Sequence, residues 1–231
     1  MAMRRLLRWP ILVAGILFVF SLAQAQDVNI FVSENQRIIS FVGPITFKAS
    51  EKLIQVMDVY LPSALRITSV GGDIEAGMRI GAYIHEKRID VVVSGACLSS
   101  CANYIFPAGR KRIIEEGGYV GWHGSATHLK YLYDNGLQKH TSAQMLLASR
   151  LAEKESVFFE SLGVNGFICW FGRLAPFSSK NYFLLSKEAM EAFGITNVNL
   201  QSNYLDLNRR EELASFTAIQ NVSRGEMRQP R

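Results

Sequence analysis

Short apolar runs alternate with amphipathic stretches along most of the chain, and each kind of pattern predicts a different element. Alternating or continuous apolar residues, bounded by Gly, Pro or polar residues, are typical of strands. Apolar residues repeated at helical spacing behind a Ser or Asp are typical of helices. The predicted strands are Val28–Val32, Arg37–Val42, Leu65–Ser69, Val91–Val93 and Tyr119–Trp122. The predicted helices follow Ser50 and Asp73, and cover Ser142–Leu162 and Ser186–Phe193.

The order of these elements predicts an α/β fold. Strands and helices alternate, and strands such as Val91–Val93 are wholly apolar, which favours a parallel sheet covered by helices. After Leu207 the apolar density falls, and the chain ends with Arg224, Arg228 and Arg231. We therefore expect one domain over residues 26–202 and a frayed helix with a mobile tail over residues 203–231.

The first 25 residues have the three parts of a signal peptide. Arg4, Arg5 and Arg8 form a positive amino-terminal region, Ile11–Leu22 is apolar, and Ala23-Gln24-Ala25 offers small residues for cleavage. This pattern predicts a periplasmic or secreted protein that begins near Gln26. The alternative is an uncleaved membrane anchor formed by residues 9–25, and only in that case do we expect contact with a membrane.

Composition and charge narrow the classes of partner. The chain has 231 residues, of which 48% are hydrophobic and 19% charged, as expected of a globular protein rather than a disordered one. Its formal charge is +5, but three of these charges belong to the signal segment. The remainder, about +2, forms no Lys/Arg stripe, so we expect no nucleic-acid partner.

Two cysteines, Cys97 and Cys101, stand four residues apart. In a reducing compartment they could be a metal or redox pair, whereas an exported chain favours a disulfide. No second Cys/His pair with ligand spacing accompanies them, so the sequence predicts no metal site. We expect Cys97 in a loop and Cys101 in the first turn of a helix, where a bond is geometrically possible. Cys169 is then left as a buried thiol.

Three further segments carry candidate chemistry. In the first, Gly71-Gly72 ends a strand and opens a helix, so its backbone N–H groups could approach a bound group. It lacks the Lys-Ser/Thr of a phosphate loop, and we expect no cofactor. In the second, Ser99 and Ser100 precede a helix; in the third, His123 follows a strand. Each also has a purely structural interpretation: a tight turn, a helix cap and a buried histidine.

In this order the three segments resemble the Clp protease proteolytic subunit and the wider Clp/crotonase superfamily, over roughly residues 37–197. The resemblance rests on Ser69–Ile80, on the serine loop that runs to Ala108-Gly109, and on His123. It implies a Clp/crotonase-like fold with a serine peptidase site. Counting back from Gly109 places the nucleophile at Ser100, with Ser99 as the alternative.

The same resemblance implies roles for other residues. His123 would be the general base, and the backbone N–H groups of Gly72 and Cys101 would form an oxyanion hole. Asn181 stands where the family has an aspartate, and an Asp-to-Asn exchange in a serine protease triad lowers turnover by about 10⁴-fold. The third member is therefore the weakest part of the match.

Together these features lead us to expect an exported, ATP-independent serine hydrolase, a peptidase acting on peptide or protein substrates. The alternative is a weakly active or inactive module that binds peptides or assists assembly. Acyl-CoA chemistry of the crotonase kind ranks third, because CoA thioesters are not expected outside the cytoplasm. The resemblance also implies a homo-oligomer, with the helix Ser142–Leu162 as its interface.

Overall fold

The computed structural model describes residues 28–223 and 225–230, and they form a mixed α/β fold. The predicted signal peptide, residues 1–25, lies outside the described residues. The strands are β1 (Asn29–Val32), β2 (Ile38–Val42), β3 (Ala64–Ser69), β4 (Asp90–Leu98), β5 (Arg112–Ile114), β6 (Tyr119–Gly121), β7 (Phe183–Leu185), β8 (Val198–Asn199) and β9 (Thr217–Ile219). The α-helices are α1 (Phe47–Tyr60), α2 (Ile74–Lys87), α3 (Ala126–Asp134), α4 (Ser142–Leu162) and α5 (Lys187–Ala192).

Seven strands form the main sheet, in the order β1-β2-β3-β4-β5-β8 with β6 also paired to β4. All pairs are parallel except the antiparallel pair of β1 and β2, which confirms the mostly parallel sheet expected from the sequence. Strand β4 is long enough to pair with β5 through Val91–Val93 and with β6 through Ala96–Leu98. This second pairing brings the carboxyl ends of β4 and β6 side by side.

The core lies on one face of this sheet. Alternate residues of β2 to β4, such as Phe41, Ile67 and Val93, have no exposed surface. On the opposite face Ile38 and Val42 of β2 are about two-fifths exposed. Burial of alternate apolar side chains is what specifies the register of a sheet, because a shift by one residue would expose the whole buried set.

Helix caps explain why several predicted boundaries are confirmed. Asp73 accepts a hydrogen bond from the N–H of Ala76 and begins α2, as its sequence position predicted. Thr141 begins α4 through a capping box with Gln144, and Gly163, with a φ of 65°, ends it. Helix α1 begins earlier than expected, because Thr46 rather than Ser50 is its cap. On α4, Leu146 and Leu147 are exposed, and the predicted self-association through this helix stays a prediction.

The sequence predicted a frayed helix and a mobile tail for residues 203–231, but the described part of this segment packs onto the domain. Strand β9 pairs with β7, and Tyr204, Leu213 and Ile219 are each at most 3% exposed. A few well-separated anchors therefore hold a segment whose average composition is polar. Within the described residues no helix is both long and apolar enough to cross a membrane.

Candidate functional site

Ser99 occupies a sharp turn between β4 and the helical segment that follows it. Its φ of 54° is rare for a residue with a side chain. Two backbone hydrogen bonds hold the turn in place. The N–H of Ser99 donates to the carbonyl of Gly121 in β6, and the carbonyl of Ser99 accepts from the N–H of Asn103. A strained strand-to-helix turn that presents a serine hydroxyl is the arrangement of the nucleophile elbow in α/β-hydrolases.

His123 lies beside this turn because β6 and β4 are parallel neighbours. Leu98 pairs with Gly121, so the residues that follow the two strands meet at the same edge of the sheet. Nε2 of His123 lies 2.9 Å from Oγ of Ser99, which is hydrogen-bond distance. This is the geometry that a serine and its general base require. The structure thus brings together His123 and Ser99, the serine that the sequence offered as the alternative.

Ser100 occupies a different environment. Its side chain is 2% exposed, and its hydroxyl donates a hydrogen bond of 2.7 Å to the carbonyl oxygen of Gly72. The recorded hydrogen bonds of the described residues do not join Ser100 to His123. The hydroxyl predicted to be the nucleophile therefore connects the helix to the Gly-Gly turn, and the neighbouring hydroxyl faces the histidine.

A π-helix explains this difference of one residue. Cys101–Ile105 form one π-helical turn, in which the N–H of Phe106 donates to the carbonyl of Cys101. A π-turn contains one residue more than an α-turn, and such turns are frequent at functional sites. The count back from Ala108-Gly109 reaches Ser100, whereas the serine at hydrogen-bond distance from His123 is Ser99. The amino-acid sequence carries no signal for this extra residue, because a π-turn differs from an α-turn only in its hydrogen-bond register.

The Gly71-Gly72 turn approaches the serine backbone so closely that side chains would not fit. A Cβ on Gly71 would lie 2.5 Å from the carbonyl oxygen of Leu98 and 2.9 Å from the nitrogen of Ser100. A Cβ on Gly72 would lie 2.1 Å from the carbonyl oxygen of Ile45. Both glycines also have positive φ values, of 91° and 150°. The turn requires glycine at both positions for these two reasons.

Two backbone N–H groups, one in the Gly-Gly turn and one after Ser99, are the candidates for an oxyanion hole. Gly72 forms an isolated β-bridge with Ile45, whose two hydrogen bonds use the carbonyl of Gly71 and the N–H of Asp73. This bridge does not use the N–H of Gly72, which is an exposed residue. With Ser99 as the reactive residue, the N–H that follows it belongs to Ser100 rather than to Cys101. In nucleophile elbows the following N–H is one oxyanion donor. Gly72 and Ser100 are therefore the two candidate donors.

Asn181, the predicted third member, forms its hydrogen bonds with residues other than His123. Its Nδ2 donates to Oγ of Ser215 at 2.9 Å, and its carbonyl accepts from Nη1 of Arg173 at 3.1 Å. The next residue, Tyr182, packs against His123 instead, with 4.7 Å between the ring centroids. Among the described residues the recorded hydrogen bonds of the His123 ring include only the one to Ser99.

The surroundings of His123 disfavour its protonated form. Burial lowers the pKa of His123 from its usual value, and the positive charge of Arg173 lowers it further. The same causes, with a contribution from His123, lower the pKa of His128 to about 4. A neutral imidazole is the form that accepts a proton, but an adjacent guanidinium disfavours the imidazolium that results. The electrostatics are opposite to those supplied by a triad aspartate.

The predicted disulfide between Cys97 and Cys101 is present and encloses both serines. The two Cα atoms are 5.2 Å apart, and neither residue is exposed. Cys97 lies in β4 rather than in the expected loop, because the strand continues to Leu98. Cys101 begins the π-helix. The bond therefore joins the end of the strand to the start of the helix, across the turn that carries Ser99.

Removing this disulfide is expected to lower the free energy of unfolding by about 2 kcal/mol, the value that chain-entropy arguments give for so short a loop. The variant that carries both Cys97→Ala and Cys101→Ala can be compared with the parent protein by urea denaturation. In the unfolded, unreduced parent we expect one alkylatable thiol, that of Cys169. Three thiols would contradict the bond.

A buried carboxylate holds the helices behind the site. Glu155 of α4 is 1% exposed and accepts hydrogen bonds from the hydroxyl of Tyr104, at 2.7 Å, and from the N–H of Thr127, at 2.7 Å. Burial raises the pKa of Glu155. Tyr104 belongs to the π-helix and Thr127 to α3, so one side chain connects α4 to both elements that follow the candidate catalytic residues.

The sequence analysis did not predict four residues around the site, and the sequence contained a usable signal for only one of them. Asn103 is 2% exposed and its Nδ2 donates to the carbonyl of Gly124, next to His123. Tyr182 and Arg173 come from distant parts of the chain and match no motif. His128 stacks on Trp170 at 5.0 Å between ring centroids. Its place five residues after His123, beyond the Ser125 helix cap, was the available signal.

Two comparisons complete the description of the site. No model of a protein family matches the chain, and a search among curated proteins finds no match either. Among residues 28–223 and 225–230, no group of three or more His, Cys, Asp or Glu side chains could hold a metal ion. The described residues thus define an α/β protein with a Ser–His pair at the carboxyl edge of its parallel strands.

Proposed function

We propose that this protein is an exported, ATP-independent serine hydrolase of the Clp/crotonase type, a peptidase with Ser99 as its nucleophile and His123 as its general base. One observation carries the proposal: Nε2 of His123 lies 2.9 Å from the hydroxyl of a serine held at a strand-to-helix turn with a φ of 54°. The parallel sheet, the Gly-Gly turn and the order of the three segments support it.

The reaction follows the usual course of acyl transfer. Oγ of Ser99 forms a bond to the substrate carbonyl carbon while its proton moves to Nε2 of His123. The N–H groups of Gly72 and Ser100 would stabilise the negative oxygen of the tetrahedral intermediate. The bond to the leaving amine breaks as that amine takes the proton from His123. Water then repeats these steps on the acyl-enzyme, which releases the acid and restores the serine.

The missing carboxylate sets the expected rate. Loss of the aspartate from a serine protease triad costs about 10⁴-fold in turnover, while each oxyanion donor contributes about 3–4 kcal/mol. We therefore expect a slow hydrolase rather than an efficient one. The same feature favours a second candidate function, a peptide-binding module, because Arg173 opposes formation of the imidazolium that catalysis needs.

Labelling with a fluorophosphonate tests the proposal. The folded protein is expected to react slowly and covalently, with the adduct on Ser99 when the peptide that contains both serines is sequenced by mass spectrometry. Because the pKa of His123 is lowered, the neutral imidazole persists as the pH falls, and the labelling rate should decline only below the usual histidine range near pH 6.5. Denatured protein is the control and should not react.

Two outcomes would contradict the proposal. An adduct distributed over many serines would indicate non-specific chemistry. Complete absence of labelling in folded protein, at every pH, would favour the binding module.

A further inference from the structure

Arg173 brings a positive charge to the candidate site, and no acid among the described residues forms a salt bridge with it. It ends a short 3₁₀ helix, is partly buried, and its Nη1 donates to the carbonyl of Asn181. A guanidinium has five N–H donors in a planar fork, and one neutral carbonyl leaves most of them for another partner.

Two contacts connect Arg173 to the residues that pack against the histidines. Its backbone N–H donates to the carbonyl of Trp170, whose indole stacks on His128. Its side chain binds Asn181, the residue before Tyr182, and Tyr182 packs against His123. The charge of Arg173 lowers the pKa of both histidines, as described above, which agrees with this placement.

The titratable and charged groups around the histidines do not neutralise this charge. Tyr182 contributes a phenol whose pKa is raised by burial, so it is neutral. Cys169 is a neutral buried thiol for the same reason. Glu155 of α4 accepts hydrogen bonds from Tyr104 and Thr127, and Glu226 accepts one from the N–H of Ser223. The site is therefore positive on the side of Arg173, and a partly buried positive charge is stabilised by an anion.

We infer that Arg173 binds a carboxylate of the substrate, so that the site takes acyl compounds carrying a carboxylate near the scissile bond. For a peptide this group is either the free C-terminal carboxylate or an acidic side chain. A carboxylate bound there would offset the guanidinium charge and so favour the imidazolium that forms on His123 during acyl transfer. The substrate would thus supply part of what the missing aspartate supplies in a triad. The substrate role rests on the proposed function, whereas carboxylate binding can be measured without it.

The test follows the imidazole pKa values of the protein's four histidines by NMR titration at constant ionic strength. The probes are N-acetylglycine, which has a C-terminal carboxylate, N-acetyl-aspartate amide, which has a side-chain carboxylate, and the neutral N-acetylglycinamide. A carboxylate bound at Arg173 should raise the pKa of His123 and His128 by about one unit. The exposed His85 and His140 should not change, and neither should any histidine with the neutral probe.

Two variants locate the binding. Arg173→Gln should itself raise the pKa of both histidines and should remove the response to carboxylates. The matched control is Arg110→Gln, because Arg110 pairs with Asp90 at the opposite end of β4, and this variant should respond as the wild type does. A response to one carboxylate probe alone supports the inference and identifies which carboxylate is recognised.

Three outcomes would overturn the inference: no carboxylate response in the wild type, an equal response to the neutral amide, or a response that persists in Arg173→Gln. The wild-type comparison of charged and neutral probes does not depend on the folding of any variant. Failure here with specific labelling of Ser99 would leave the hydrolase proposal standing. Carboxylate binding without labelling would instead overturn the hydrolase proposal alone.

Discussion

Exchange of Ser99 for alanine is expected to abolish fluorophosphonate labelling, while exchange of Ser100 for alanine should leave it in place. Of the two serines, it is Ser99 that lies at hydrogen-bond distance from His123, and an alcohol needs that base to become nucleophilic. His123→Ala should remove labelling as well, because the base is then lost. The measurement is the rate of adduct formation, followed by intact mass, for each purified and folded variant.

Ser100→Ala is the matched control and has its own expected effect. Removal of its hydroxyl takes away the hydrogen bond to the carbonyl of Gly72, which should cost about 0.5–1.5 kcal/mol of stability. We thus expect a less stable protein that still reacts. The reverse result, reaction in Ser99→Ala and none in folded Ser100→Ala, would return the nucleophile to the position counted from Gly109.

A chain that ends after Ser202 is expected not to fold cooperatively. It lacks the buried side chains of Tyr204, Leu213 and Ile219, and core deletions of this size cost about 2–5 kcal/mol each. Their sum is comparable with the whole stability of a typical domain, about 5–15 kcal/mol. The loss also includes β9, the partner of β7. Thermal unfolding monitored by circular dichroism should show no sharp transition.

The candidate site should be lost together with the fold. Phe216 packs against Tyr182, at 5.1 Å between centroids, and Tyr182 in turn packs against His123. The matched control is a chain that ends after Ser223, which keeps β9 and all three buried anchors and should unfold cooperatively. Equal melting curves for the Ser202 truncation and the complete chain would show that residues 203–231 are dispensable.

Elements that depend on local signals were predictable from the sequence. Helix α4 begins and ends at the predicted residues because a capping box and a left-handed glycine define its two ends. Strands β5, β7, β8 and β9 were not predicted. Each has two or three residues, too few for a period, and exists because a neighbouring strand offers hydrogen-bond partners.

The candidate site was also predictable only in part. His123 and the Gly-Gly turn follow recognisable strands, so their positions near the serine loop were predictable. The choice between Ser99 and Ser100 depended on a π-turn, and the positions of Arg173 and Tyr182 depended on tertiary packing. Neither kind of information is present in residue spacing. Asn181 shows the limit of motif matching, since its neighbour Tyr182 is the residue that meets the imidazole.

The hydrogen bond from Ser100 to Gly72 has a consequence for the thermodynamics of binding. It ties the Gly-Gly turn to the helix that carries the second candidate donor, so the two N–H groups are held at a set separation before any substrate arrives. The conformational entropy of ordering the turn is lost once, when the chain folds, and is not lost again when an acyl group binds. A loop that had to close on its ligand would show this cost in every association event.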